Sequence, residues 1–108
     1  MRDKPLVLLV EDTLSLAAIY REYLKEESVD VRAVATGEDA RTSIAASAPD
    51  LVLLDLKLPD MNGEEILSWI VSEGFPTSVI IITAHGSVDI AVDMIRQGAA
   101  DFLEKPFD

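Results

Sequence analysis

The sequence predicts an α/β fold in which a parallel sheet carries helices on both faces. Short runs rich in β-branched residues and leucine recur along the chain, and several lack polar alternation, which is typical of strands covered on both sides. Segments with apolar residues at helical spacing lie between these runs. Because strand and helix alternate throughout, we expect the order β-α-β-α-β-α-β-α-β, right-handed crossovers and a doubly wound sandwich.

The individual elements follow from local patterns. Strands are predicted at residues 6–10, 29–34, 51–54, 79–82 and 101–103. The first helix has an apolar stripe of Leu16, Tyr20, Tyr23 and Leu24, and the third has one of Ile66, Leu67, Ile70 and Val71. Weaker helical patterns cover residues 38–47 and 87–97, and glycine, proline and asparagine between these segments supply the turns.

Composition excludes several classes of function. The 108 residues are 49% hydrophobic, which fits one small domain with a single core. A net charge of −11 would repel nucleic-acid phosphates and anionic lipid, and without cysteine the chain has no disulfide or thiolate site. No apolar run approaches the roughly 20 residues that cross a bilayer. We therefore expect a cytoplasmic protein without direct nucleic-acid or membrane contacts.

Polar side chains appear where the predicted strands end. Glu11 and Asp12 follow the first strand, Asp55 the third, Thr83 the fourth and Lys105 the fifth. Ligands of doubly wound sheets bind outside these carboxyl ends. Converging carboxylates repel each other unless a cation lies among them, and hard oxygen ligands without histidine or cysteine suit Mg²⁺. A metal, a lysine and a hydroxyl together could hold a phosphoryl group against a carboxylate.

Four motifs together resemble response-regulator receiver domains, and the resemblance covers nearly the whole chain. They are Val10-Glu11-Asp12, residues 54–63 (LDLKLPDMNG), Thr83-Ala84 and Lys105-Pro106-Phe107. The resemblance implies a flavodoxin-like (CheY-like) sandwich with a five-stranded parallel sheet of order 2-1-3-4-5. Residues 83–89 and 98–103 further resemble the receivers of NtrC-type AAA+ transcriptional activators, which work with an alternative sigma factor.

The resemblance also assigns roles to the strand-end residues. It implies that Asp55 is the phosphoacceptor and a metal ligand, that Asp12 binds Mg²⁺ directly, and that Glu11 binds it through water. The backbone carbonyl of Lys57 is implied as a further ligand. Lys105 would contact the phosphoryl group, and its bond to Pro106 is expected to be cis.

Thr83 and Phe102 match the switch pair of this family. The resemblance implies that the Thr83 hydroxyl moves to bind the phosphoryl group and that the Phe102 ring follows into the vacated space. An aromatic residue in a short strand can equally be a permanent part of the core. His85, the only histidine, is expected to be an accessible loop residue without a catalytic role.

The fourth helix is predicted to carry an interaction surface. An inward stripe of Val88, Val92 and Ile95 would leave Ile90, Ala91 and Met94 exposed as an apolar contact patch, for a homodimer or an interdomain contact. The other interpretation is a mildly apolar surface without a partner. Trp69 falls off the stripe of its own helix and is expected to be partly covered.

The predicted function is a phosphorylation switch. A sensor histidine kinase would supply the phosphoryl group, and the switch would control an output domain, expected to be transcriptional, in the same natural chain. The chain ends where the resemblance implies a fifth helix, so we expect residues 1–108 to be one receiver domain, the N-terminal fragment of a longer response regulator. It would be no enzyme beyond catalysing its own phosphorylation and dephosphorylation.

Two alternatives remain open at the level of sequence. One is a Mg²⁺-dependent phosphohydrolase with an aspartyl nucleophile, like the haloacid dehalogenases, although these have a second acid where Lys57 stands. The other is a degenerate receiver that acts only as an interaction module, against which the complete set of five strand-end residues argues.

Overall fold

The computed structural model describes residues 4–84 and 86–105, which form one five-stranded parallel sheet flanked by helices. The strand order is β2-β1-β3-β4-β5, so the predicted order 2-1-3-4-5 is confirmed. The elements are β1 (Leu6–Val10), α1 (Leu14–Leu24), β2 (Asp30–Val34), α2 (Gly37–Ala46), β3 (Leu51–Asp55), α3 (Gly63–Glu73), β4 (Ser78–Thr83), α4 (Val88–Arg96) and β5 (Asp101–Glu104). Within the described residues no helix follows β5, as expected.

Burial follows from the position of each strand in the sheet. All five residues of β1 are buried, because this strand pairs with β2 on one side and β3 on the other and is covered on both faces. The edge strands β2 and β5 have half-buried and exposed residues instead. β3 ends one residue later than predicted, so Asp55 is its last residue and pairs with Ile82 of β4.

Side chains at the helix starts satisfy amides that the helix itself leaves free. The Thr36 side chain accepts a hydrogen bond from the Asp39 amide before α2, and Ser87 accepts one from the Ile90 amide before α4. Asn62 and Glu65 form a capping box at the start of α3. The observed starts of α2 and α4 lie within one residue of the predicted residues 38 and 87.

The two faces of the sheet carry separate cores. α2, α3 and α4 cover one face, where Ile44, Ile66 and Met94 pack on Leu54 and Ile81. α1 packs on the other face through a smaller cluster of Leu9, Ala17, Tyr20 and Ile82. A small apolar cavity of about 120 Å³ remains beside that second cluster, lined by Tyr20, Tyr23, Leu24, Leu53, Ile82 and Leu103. Tyr23 and Leu103, at the rim of this cavity, are exposed.

The predicted orientation of α4 is wrong. Met94 is 2% exposed and packs with Ala99 in the larger core, whereas Val88, Val92 and Ile95 are 79%, 44% and 45% exposed. Apolar residues occur on more than one side of this helix, so spacing alone could not decide which side faces the sheet. Met94 is therefore not part of the contact patch predicted at Ile90, Ala91 and Met94. The exposed apolar surface of α4 includes Val88, Val92 and Ile95 instead.

The apolar stripes of α1 and α3 are only partly buried. Tyr20 and Ile70 are buried as predicted, but Tyr23 and Val71 are 58% and 51% exposed. Trp69 is half-buried, in agreement with the expectation of partial cover; its ring centroid is 5.1 Å from that of Phe75, and the Arg41 guanidinium lies 5.3 Å from its centroid. None of the helices in the described ranges has the length and apolar character needed to span a bilayer.

Candidate functional site

Three carboxylates meet at the carboxyl ends of β1 and β3. Glu11, Asp12 and Asp55 each offer an oxygen, and these oxygens all lie within 4.8 Å of one another. The two strands are neighbours in the sheet, so their ends bring together residues 43 or more positions apart in sequence. Glu11 is 2% exposed and Asp55 5% exposed, while Asp12 is exposed to solvent.

Lys105 joins this cluster from the end of β5. Its Nζ atom donates a hydrogen bond of 2.8 Å to Oδ2 of Asp55 and a second bond to Oε1 of Glu11. The Lys105 backbone amide donates a hydrogen bond of 2.7 Å to the carbonyl of Thr83. The end of β4 therefore positions the backbone of Lys105. Burial alone would lower the pKa of Lys105, but the hydrogen bonds and negative charges of Asp55 and Glu11 outweigh it and raise this pKa.

Glu11 is the most deeply buried acid of the cluster. Burial raises the pKa of its carboxyl group, and the Lys105 ammonium and the Thr13 amide, which donates to Oε2 at 3.2 Å, oppose that rise without cancelling it. The Glu11 amide donates to the carbonyl of Val34 at 3.0 Å, so β2 holds the acidic turn in place. A positive charge near Glu11 therefore stabilises its ionised form.

The β3–α3 loop, residues 56–62, folds back on itself beside Asp55. The Lys57 amide donates to Oδ1 of Asp55 at 3.1 Å, Lys57 and Asn62 form an isolated antiparallel bridge, and the Gly63 amide donates to the Leu56 carbonyl at 2.7 Å. A Cβ atom at Gly63 would collide with the carbonyl oxygen of Asp55. Glycine is therefore required for the loop to close this tightly.

The cluster faces an open cleft of about 420 Å³. Its lining includes Asp12, Asp55, Lys57 and Lys105, with Pro59 and Ala84 at other points of the wall. The oxygen donors of Glu11, Asp12 and Asp55 suit a hard divalent cation, and no described histidine or cysteine lies among them. The residues present therefore fit a metal site, and the predicted carbonyl ligand Lys57 lies in the loop beside it.

The predicted switch residues lie on neighbouring strands. Thr83 is buried at the end of β4, and the half-buried Phe102 of β5 pairs with Ile81. A Cβ atom added to Gly86 would lie 2.8 Å from the Phe102 ring and 3.5 Å from Cγ2 of Thr83. Gly86, which lies between β4 and α4, is thus close to both the Phe102 ring and the Thr83 side chain. The predictions about His85 and about the peptide bond before Pro106 concern residues outside the described ranges.

One contact beside the site had no signal in the sequence. The Asp60 carboxylate accepts hydrogen bonds from the amides of Gly37 and Glu38, across a sequence gap of more than 20 residues. These hydrogen bonds lower the pKa of Asp60. An aspartate after proline is an ordinary turn residue, and only the tertiary structure brings it to the start of α2.

The chain matches a known protein family along nearly its whole length. The family model described as response regulator receiver domain matches residues 7–108. A crystal structure of the signal receiver domain of a putative LuxO repressor protein from Vibrio parahaemolyticus is 58% identical and superposes with a TM-score of 0.95. That comparison covers 97% of this chain and 81% of the other.

Curated relatives are longer proteins. Regulatory protein LuxO of Vibrio cholerae is 49% identical over 98 residues, and the DNA-binding transcriptional regulator NtrC of Proteus hauseri is 38% identical over 103 residues. These matches cover 91% and 94% of this chain but only 22% of each relative. The chain spans about a fifth of the length of these relatives, and the match to NtrC agrees with the predicted NtrC-type pattern.

Proposed function

Because this chain belongs to the response regulator receiver domain family, we propose that it is a switch that accepts a phosphoryl group on Asp55. The observation that carries the proposal is the position of this carboxylate. It ends β3 at the floor of the cleft, with Glu11 and Asp12 close enough to share a cation and the Lys105 ammonium 2.8 Å away.

In the proposed reaction, one Asp55 oxygen attacks the phosphorus of a phosphohistidine or of a small acyl phosphate. A new O–P bond forms, and the P–N or P–O bond to the donor breaks with its electron pair leaving on the donor. Lys105 can hold one phosphoryl oxygen, since its ammonium already lies beside the carboxylate. Mg²⁺ held by Asp12, Asp55, Glu11 and the Lys57 carbonyl would supply further charge compensation, which is the main demand of phosphoryl transfer.

Phosphorylation would alter the charge balance of the cleft. A phosphoryl group adds roughly −1.5 to −2 charges and three strong acceptors, close to the buried Thr83 at the end of β4. The β4–α4 loop and the Phe102 ring lie close to Thr83. A shift of the Thr83 hydroxyl toward the phosphoryl group would therefore displace the loop that leads into α4. α4 has an exposed apolar surface formed by Val88, Val92 and Ile95. A partner bound to this surface would respond to a movement of α4.

The relatives support a proposal about partners. LuxO is named a regulatory protein and NtrC a DNA-binding transcriptional regulator, and both extend far beyond the matched region. We therefore propose a sensor histidine kinase as phosphodonor and a transcriptional output domain, of the AAA+ sigma-factor activator type, as the controlled part. Both would meet this domain in the cytoplasm, and the domain would catalyse only its own phosphorylation and dephosphorylation.

Intact-mass measurement tests the proposal directly. The chain is incubated with Mg²⁺ and acetyl phosphate beside an Asp55→Asn variant, which keeps the shape of the side chain and removes the nucleophile. One added phosphoryl group in the parent and none in the variant is the expected result. Addition to neither, with Mg²⁺ still bound, would support an interaction module, and sustained turnover of acetyl phosphate without a stable adduct would support a phosphohydrolase.

A further inference from the structure

Asp60 connects the loop beside the acceptor to a different part of the sheet. It lies in the β3–α3 loop, and its Oδ1 accepts a hydrogen bond of 2.8 Å from the Gly37 amide while its Oδ2 accepts one of 3.0 Å from the Glu38 amide. Both carboxylate oxygens are therefore used on the first turn of α2. The residue itself is exposed, and its carboxylate is hydrogen-bonded to these two amides.

The first amides of α2 are divided between two caps. Asp60 takes those of Gly37 and Glu38, and Thr36 takes that of Asp39 at 3.0 Å. The Ala40 amide then makes the first bond along the helix, to the Thr36 carbonyl. Thr36 is a local cap from the adjacent residue, whereas Asp60 comes from another loop. The two caps serve the same helix, but only one of them constrains anything else.

The start of α2, whose amides Asp60 binds, is connected through β2 to the turn at Glu11 and Asp12. α2 follows β2 after two residues, and the last residue of β2, Val34, accepts the hydrogen bond of the Glu11 amide at 3.0 Å. Met61 reinforces the contact, because a Cβ atom at the buried Gly37 would lie 2.5 Å from its side chain. The start of α2 is thus a fixed point relative to Glu11.

The first residues of the β3–α3 loop lie beside Asp55, the member of the cluster that belongs to β3. Asp55 precedes the loop, and Lys57 is joined to its carboxylate and, through the bridge to Asn62, to the start of α3. Apart from Asp60, the loop is held by its ends at β3 and α3 and by the packing of Leu58 and Met61 in the larger core. Asp60 adds hydrogen bonds from the loop to α2, the helix that follows β2, and the last residue of β2 accepts the hydrogen bond of the Glu11 amide.

We propose that Asp60 is a positioning residue for metal binding: by holding the β3–α3 loop on the amides of Gly37 and Glu38, it fixes the Lys57 carbonyl relative to Glu11 and Asp12. The inference rests on the proposed function, since it concerns the same Mg²⁺ site. Residues that orient metal ligands typically change metal affinity by about 10–100-fold when removed. Asp60 acts on the loop backbone and not on a ligand side chain, so we expect about 10-fold.

Two variants of the full chain separate this role from simple helix capping. Asp60→Ala removes the cap that reaches across from the loop, and Thr36→Ala removes the cap that is local to α2. Each variant and the parent are titrated with MgCl₂ at constant ionic strength, with the Lys57 and Asp12 amide signals followed by NMR. Melting temperatures and hydrogen exchange of the Gly37 and Glu38 amides are measured on the same samples without Mg²⁺.

The expected result is a roughly 10-fold weaker Mg²⁺ affinity in Asp60→Ala, with faster exchange of both amides. Thr36→Ala should lower the melting temperature while its Mg²⁺ affinity stays within about twofold of the parent, since it leaves the loop contacts intact. Asp60→Asn retains one accepting oxygen and should lie between parent and alanine variant. It also keeps the test decisive should Asp60→Ala unfold.

Each contrary outcome is distinct. Equal Mg²⁺ affinities in parent, Asp60→Asn and Asp60→Ala would overturn the positioning role and leave the proposed function standing. An equal loss of affinity in Thr36→Ala would overturn it too, because general loosening of α2 would then explain both variants. A parent chain that binds no Mg²⁺ would overturn the proposed function and this inference together.

Discussion

The Nζ atom of Lys105 lies 2.8 Å from Oδ2 of Asp55 and also binds Glu11, so one ammonium group contacts two buried carboxylates. This arrangement places a positive charge beside both the Asp55 and the Glu11 carboxylate. It also means that any cation entering the cluster shares these oxygens with the lysine. The effect of a divalent metal on the free energy of unfolding should therefore depend on whether Lys105 is present.

Replacing Lys105 with methionine should destabilise the metal-free protein. Glu11 and Asp55 would lose a hydrogen-bonded counter-charge, and leaving buried acceptors unsatisfied costs about 2 kcal/mol. Urea unfolding without divalent metal measures the loss, and Mg²⁺ should recover more stability in Lys105→Met than in the parent. Lys25→Met, at the exposed end of α1, is the control and should change little. A Lys105→Met variant as stable as the parent would contradict the stabilising role of the ion pairs.

Gly63→Ala should disturb Asp55, the proposed phosphoacceptor, directly. Because an added Cβ collides with the Asp55 carbonyl oxygen, the β3–α3 loop or the end of β3 must move, at a cost of about 1–3 kcal/mol. Urea unfolding measures this cost, and intact mass with acetyl phosphate should show slower phosphorylation. Ser72→Ala, on the exposed side of the same helix, is the matched control. Unchanged stability and rate in Gly63→Ala would show that the loop is looser than its contacts imply.

Two substitutions on α4 distinguish its buried side from its exposed side. Met94→Ala should lower the free energy of unfolding by about 3 kcal/mol, because it leaves a cavity in the larger core. Val92→Ser should change it by no more than about 0.5 kcal/mol, since that side chain is 44% exposed. Denaturant unfolding of both variants is sufficient. The reverse ranking would restore the orientation of α4 that the sequence pattern predicted.

The stability that Asp60 provides should depend on pH in a defined direction. Hydrogen bonds from Gly37 and Glu38 lower the pKa of Asp60 from its ordinary value of 3.8. Its contribution is therefore fully present above pH 3.8 and is lost as the pH falls through the lower folded pKa. Melting temperatures of parent and Asp60→Ala should differ near neutral pH and converge as the pH is lowered through the folded pKa of Asp60.

Glu26→Ala, an exposed acid in the turn after α1, provides the comparison for the pH series. This variant removes a negative charge from the surface and leaves the Asp60 and Thr36 caps of α2 in place, so it corrects for the general effect of net charge. A difference between parent and Asp60→Ala that persists unchanged at low pH would show that the ionised carboxylate is not what stabilises α2.

Much of the fold could be predicted because local patterns and global structure agree. The buried run of β1 and the apolar end of β3 mark strands, and each observed strand ends within one residue of its predicted end. The strand ends then place Asp55, Lys105 and the acidic pair at one edge, because parallel strands all point the same way. Such agreement between levels is what allows a site to be inferred before its geometry is known.

The orientation of α4 shows where prediction from pattern stops. Val88, Val92 and Ile95 share one side of the helix, and the spacing favoured that side as the buried one. Met94, near the end of the helix, packs against the sheet instead, together with Ala99. Which apolar side packs inward depends on the angle and position at which the helix crosses the sheet, and residue spacing contains neither.

The amino-acid sequence by itself determined the alternation of strands and helices, and thereby which polar residues meet at the carboxyl edge, because both depend on short-range periodicity and chain direction. Only the tertiary structure decided that Lys105 spans Asp55 and Glu11, that Asp60 holds the start of α2, and that α4 turns Met94 inward. These contacts join residues far apart in the chain, and their geometry depends on how whole elements pack. Close packing of the core selects that arrangement, and no local pattern records it.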